Sequence, residues 1–202
     1  MKERPILFKP ENIRAMLREI SPKNQTRRVI NPQPDACDHS ANEAHEGHPI
    51  PTEFYCMDRG DWACRTCGNG IRLTKNDAVG IRCPYGVPGD RLWVRETYAT
   101  DSIRTLYYAT DDVHELRKRR SAMFMPRTRS RITLEITEVR IERVQDISVK
   151  DCIAEGLCTN LRESEACDDL KDQYHALWDS INKKKYPWSS NPWVWVITYK
   201  RV

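Results

Sequence analysis

Residues 191–202 read NPWVWVITYKRV, and they constrain the fold more than any other stretch. Trp193, Val194, Trp195, Val196 and Ile197 are five consecutive apolar residues. β-branched and aromatic side chains in a short run bounded by Asn-Pro predict a strand. Neighbouring strand residues point to opposite faces, so an unbroken apolar run predicts burial on both sides and a place inside the fold. A second strand signal lies in RITLEITEVRIERV. Ile132, Leu134 and Ile136 share one parity, which then switches to Val139 and Ile141. An inserted bulge residue produces such a switch.

Helices punctuate these strands. ENIRAMLREI sets Ile13, Met16, Leu17 and Ile20 on one face, and Ser21-Pro22 closes the pattern. DISVKDCIAEG reads as a short helix capped by Ser148, with Asp151 three residues on, Ile147 placed to staple Cys152, and Gly156 ending it. LKDQYHALWDSIN gathers Leu170, Tyr174, Leu177, Trp178 and Ile181 on one face. GDRLWVRE predicts a further strand, with Leu92 and Val94 alternating with Arg91, Trp93 and Arg95, and YYAT at 107–110 a short one. The sum is an α+β fold: a small mixed sheet or partly closed barrel with flanking helices, one domain over residues 1–202. About residues 36–84, rich in Pro, Gly, Asn, Asp, His and Cys with weak periodicity, read as a segment inserted into it.

No apolar run approaches the roughly 18 residues of a membrane span, and the first ten residues lack the apolar core of a signal peptide. A cytoplasmic protein without a membrane partner is expected. The net charge is +4, but residues 117–131 (RKRRSAMFMPRTRSR) hold seven Arg and Lys and no acid, leaving 26 basic against 29 acidic residues elsewhere. A local basic patch is the footprint of a nucleic-acid contact, or else a solvated loop. Within it Arg127, Arg129 and Arg131 alternate, as they would on one face of an incoming strand. Trp188, in KKKYPWSSNPW beside Tyr186, is placed either to stack on a base or to cap the core beneath its loop.

In the inserted segment Cys64 and Cys67 form a C-x-x-C. Two more ligands complete a tetrahedral structural zinc site, with Cys56 and Cys83 nearest and Cys37, His39, His45 and His48 as a second pool. The alternative is a set of reduced thiols.

After the first helix comes KNQTRRVI, which packs Lys23, Thr26, Arg27 and Arg28 together. Taken with GDRLWVRE, the 132–156 pattern and the terminal WVWVITY, this resembles the ASCH domain, a PUA-like β-barrel family, and more narrowly the ASCH proteins of phages and prophages. The resemblance covers residues 1–35 and 84–202. It implies binding of RNA or of a modified nucleoside or nucleotide, with Arg27 or Arg28 meeting a phosphate or an oxyanion. One small bacterial branch is an amidohydrolase that removes the acetyl group of acetylcytidine. The resemblance carries its lysine, threonine and glutamate onto Lys23, Thr26 and Glu155. That chemistry is coherent: a desolvated lysine can serve as base to a threonine hydroxyl, with a glutamate orienting the lysine or relaying a proton. A protein-interaction module using the basic segment is the third alternative.

Overall fold

A computed structural model describes residues 1–34, 36–37, 54–56, 61–64, 71–72, 81–100, 104–111, 118–157 and 167–202; between 36 and 81 it describes the backbone alone. The elements run β1 (Glu3–Leu7), α1 (Pro10–Met16), β2 (Gln25–Val29), β3 (Ala36–Cys37), β4 (Phe54–Cys56), β5 (Asp61–Cys64), β6 (Ile71–Arg72), β7 (Ile81–Arg82) and β8 (Arg91–Arg95). They continue with β9 (Tyr98–Thr100), β10 (Thr105–Tyr107), β11 (Thr133–Arg143), α2 (Val149–Ala154), α3 (Cys167–Asn182) and β12 (Trp193–Arg201).

The fold is α+β, built on a five-stranded mixed sheet in the order β1-β8-β11-β12-β2. The β1–β8 pair is parallel and the other pairs are antiparallel. β12 explains the sequence run directly. Trp193, Trp195, Ile197 and Tyr199 enter one core with Ile6, Ile13, Leu92 and Leu134. Val194 and Val196 enter a second core, opposite, with Cys152, Leu170, Tyr174 and Trp178. The period-2 alternation therefore feeds two apolar layers, α1 contributing to the first and α2 and α3 to the second. In β11 the ladder shifts between Ile136 and Glu138. Thr137 is the extra residue, and absorbing it keeps Leu134, Ile136 and Ile141 all in the first core.

Four expectations are corrected. The sheet does not close into a barrel: β1 and β2 are its edges, and the connection between them, α1, lays Ile13 and Met16 on the first core instead of adding a ladder. That helix ends at Met16, leaving Ile20 83% exposed, because Lys23 N–H bonds back to the Ala15 carbonyl and turns the chain early. The strand near 107 is Thr105–Tyr107, with 108–110 in the turn after it. Arg127 and Arg129 belong to a single 3-10 turn, and β11 starts only at Thr133, so the three arginines do not line one strand face. Within the inserted segment β3 pairs with β6, and β5 lies between β4 and β7. No helix among the described residues is long and apolar enough to cross a membrane.

Candidate active site

Lys23 is held by the end of α2. Its Nζ donates to the Glu155 main-chain carbonyl at 2.6 Å and to the Glu155 carboxylate Oε2 at 2.5 Å. A cation there meets the unpaired carbonyls and negative end of the helix. Local sequence makes the geometry. Ser148 Oγ accepts from Asp151 N–H while the Asp151 side chain accepts from Ser148 N–H, a reciprocal capping box. Glu155 caps the other end, and Gly156 follows with φ +94°. A Cβ on Gly156 would stand 2.8 Å from Ala15 Cβ and 3.2 Å from Lys23 Cβ, so only glycine lets the lysine stem pass this closely. Asn24 N–H then bonds to the Ala154 carbonyl and leads the chain into β2.

Lys23, Thr26 and Glu155 are each nearly inaccessible, at 3%, 5% and 6% exposure. They line one cavity of about 90 Å³, together with Asn12 of α1, Arg28 of β2 and Tyr174 of α3. Burial drives the Lys23 pKa down, outweighing the Glu155 carboxylate that favours its charge; Arg28 and Arg27 add to the lowering. The other carboxylate oxygen, Glu155 Oε1, has no hydrogen-bond partner and is 3.8 Å from Arg27. Tyr174 is buried at the cavity wall, and burial lifts its phenol well above its usual pKa, so it stays a neutral hydroxyl.

Arg27 is committed inward. Its side chain is fully buried, donating to Gln25 Oε1 at 2.6 Å and Glu142 Oε2 at 2.9 Å, with Asp151 at 3.2 Å. Arg140 extends this network to Glu142 and to Asp151 at 2.8 Å. Burial opposes the ionisation of Asp151. Even so, hydrogen bonds from Gln25 and Ser148 and the charges of Arg27 and Arg140 hold its carboxyl well below the usual range. Arg27 thus fastens β2 to β11 and α2, while it too lines the Lys23 cavity and keeps its Nε without a hydrogen-bond partner. Arg28 differs: it is half-buried, spends one N–H on the Leu7 carbonyl at 2.6 Å, lies over the Phe8 ring, and keeps Nε without a partner.

Three arginines of the basic stretch are engaged within the protein. Arg131 forms a two-pronged pair with the buried Glu96 at 2.8 and 2.9 Å and lies 4.0 Å from the Tyr107 ring centroid. Arg129 donates to Thr105 Oγ1 at 2.7 Å, and Arg127 pairs with Glu3 at 3.0 Å. Trp188 packs against the second core, edge-on to Tyr174 and stacked 5.1 Å from His175, which fits the core-capping alternative. Tyr186 donates to Asn31 Oδ1 at 2.9 Å.

Of the expected zinc ligands, Cys67 and the side chains of Cys56 and Cys64 lie outside the described residues. So do His39, His45, His48 and the Cys37 side chain. Cys83 is a buried free thiol, its pKa pushed up to about 11 by burial. Among the described residues no group of three or more His, Cys, Asp or Glu side chains could hold a metal.

Sequence reasoning missed Asn12 as a wall residue and took Tyr174 only as packing. Neither carries a local signal, because α1 and α3 meet β2 only through tertiary packing. No protein-family model, curated protein or solved structure matches this chain.

Proposed function

We propose that the protein is an amidohydrolase acting on an acylated exocyclic amine of a nucleobase, of which acetylcytidine is the simplest case. The carrying observation is the buried Lys23–Glu155 pair sharing a cavity with Thr26. Residues 132 positions apart meet at 2.5 Å, at a desolvation cost that packing alone does not require. A cavity of about 90 Å³ suits an acetyl group rather than a whole nucleoside, so the acyl carbonyl enters and the base stays at the mouth.

In this scheme neutral Lys23 takes the Thr26 hydroxyl proton as Oγ attacks the acyl carbon. Burial makes the neutral amine accessible, and Glu155 steadies the ammonium that forms. Arg28 lines the cavity with an unpartnered Nε and is the cationic donor assigned to the oxyanion, since Arg27, which lines it too, is already paired with Glu142 and Asp151. Collapse breaks the C–N bond, and the Lys23 ammonium returns the proton to the leaving amine. Water then attacks the threonyl ester, giving a proton to Lys23; collapse breaks the ester C–O bond, the Lys23 ammonium returns that proton to Thr26 Oγ, and the carboxylic acid leaves. The sum is amide plus water to amine plus acid.

The test is hydrolysis of acetylcytidine by the wild type, Thr26→Ala and Glu155→Gln. Turnover in the wild type that falls about a thousand-fold or more in Thr26→Ala supports the scheme. A folded wild type that leaves the amide intact removes this substrate. Turnover surviving in Thr26→Ala removes the nucleophile.

A further inference from the structure

A second, larger cavity adjoins the first. It measures about 470 Å³ and shares Asn12, Arg28 and Ile181 with the Lys23 cavity. Its walls bring together three cations from distant parts of the chain: Lys9 before α1, Arg28 on β2, and Arg119. One carboxylate, Glu11, opposes them, and Thr97 and Ser121 add hydroxyls. Among the described residues neither Lys9 nor Arg119 forms an ion pair; Arg119 lies over the Tyr108 ring, 5.3 Å from its centroid. This differs from Arg127 and Arg131, which are neutralised by Glu3 and Glu96. Cations that outnumber the one described carboxylate around a concave space are chemistry for a compact anion.

We infer that this cavity seats a phosphate monoester on the leaving half of the substrate, so that the preferred substrate is an acylated nucleoside monophosphate rather than the free nucleoside. The inference rests on the hydrolase reading for the identity of the acyl group, and on the neighbouring cavity, which shares wall residues with the first, for the phosphate. Arg28 borders both spaces and ties them: the acyl group sits on its Lys23 side, the phosphate on its Lys9 side. A polynucleotide is the less favoured occupant, because arginines that would extend the site are already engaged. The arginines at 127, 129 and 131, which would continue a track for a backbone, are already bonded within the protein.

The experiment compares kcat/KM for acetylcytidine and acetylcytidine 5′-monophosphate, in the wild type and in two variants of opposite charge effect. The wild type should favour the nucleotide at least ten-fold. Lys9→Gln with Arg119→Gln should bring that ratio towards one, and Glu11→Gln should raise it, an opposite movement that general damage would not produce. A ratio near one in the wild type, or a ratio indifferent to both variants, overturns the subsite. If neither compound is hydrolysed, equilibrium binding of cytidine and of cytidine 5′-monophosphate separates the two ideas. Ten-fold tighter nucleotide binding that is lost in Lys9→Gln/Arg119→Gln keeps the subsite while the hydrolase fails; equal binding removes the subsite too. An oligonucleotide bound more tightly than the mononucleotide would overturn the small-substrate assignment.

Discussion

Lys23 and Glu155 are ionisable partners almost out of water, and each depends on the other. Removing one leaves an unmatched buried charge, which costs about 3–5 kcal/mol, whereas replacing both by apolar groups is far milder. Lys23→Met should therefore lower the urea midpoint sharply, and Lys23→Met with Glu155→Leu should recover much of the loss; additive losses would show that the pair is not coupled. Gly156 is the second sensitive residue. At φ +94°, with Ala15 and Lys23 in the way of a Cβ, Gly156→Ala should cost roughly 1–3 kcal/mol in thermal unfolding and displace Lys23. The glycine was legible from the sequence as a helix stop. Its second task was not, because the crowding comes from Ala15 and Lys23, which are remote in sequence.

At the scale of elements, what was legible is what is encoded locally. The Ser148–Asp151 capping box and the bulge at Thr137 follow from neighbouring residues, and both are present. The short α1 was not legible, since a tertiary hydrogen bond to Ala15 ends it before the apolar pattern runs out. Likewise Arg131 looks free in sequence, and its partner Glu96 is a residue of another segment. α2 matters because it delivers Glu155. Ser148→Ala removes the cap and should cost about 1 kcal/mol. In the proposed reaction it should also lower kcat more than it raises KM, since it loosens the residue facing Lys23. In β12, Trp195→Ala should cost about 3–5 kcal/mol by calorimetry, because Trp195 is a large side chain at 2% exposure.

For the whole molecule, pH acts at two ends. Asp151 has a depressed folded pKa, so its contribution is fully present above the unfolded value of about 3.9 and is lost as pH falls below it. Asp151→Asn should flatten the acid limb of a stability–pH curve. Lys23 works in the opposite direction. Its folded pKa lies below the unfolded value of about 10.4, so between the two the unfolded chain holds more protons and stability rises with pH. Lys23→Met should abolish that rise, read from urea midpoints across the alkaline range. The α+β class and the two-sided β12 were visible in the sequence through periodicity. Strand order, the open edges and the meeting of Lys23 with Glu155 were not, because they are set by pairings between distant segments.

The pairing of Thr26 with Ile197 has a further consequence. β2 and β12 are ladder partners although β3 to β11 lie between them in the chain. Until β12 is made and paired, Thr26 and Arg28 lack their ladder partner, and that wall of the cavity is not fixed. The chemistry proposed at Thr26 therefore waits for β12, whatever the segments between the two strands have folded into.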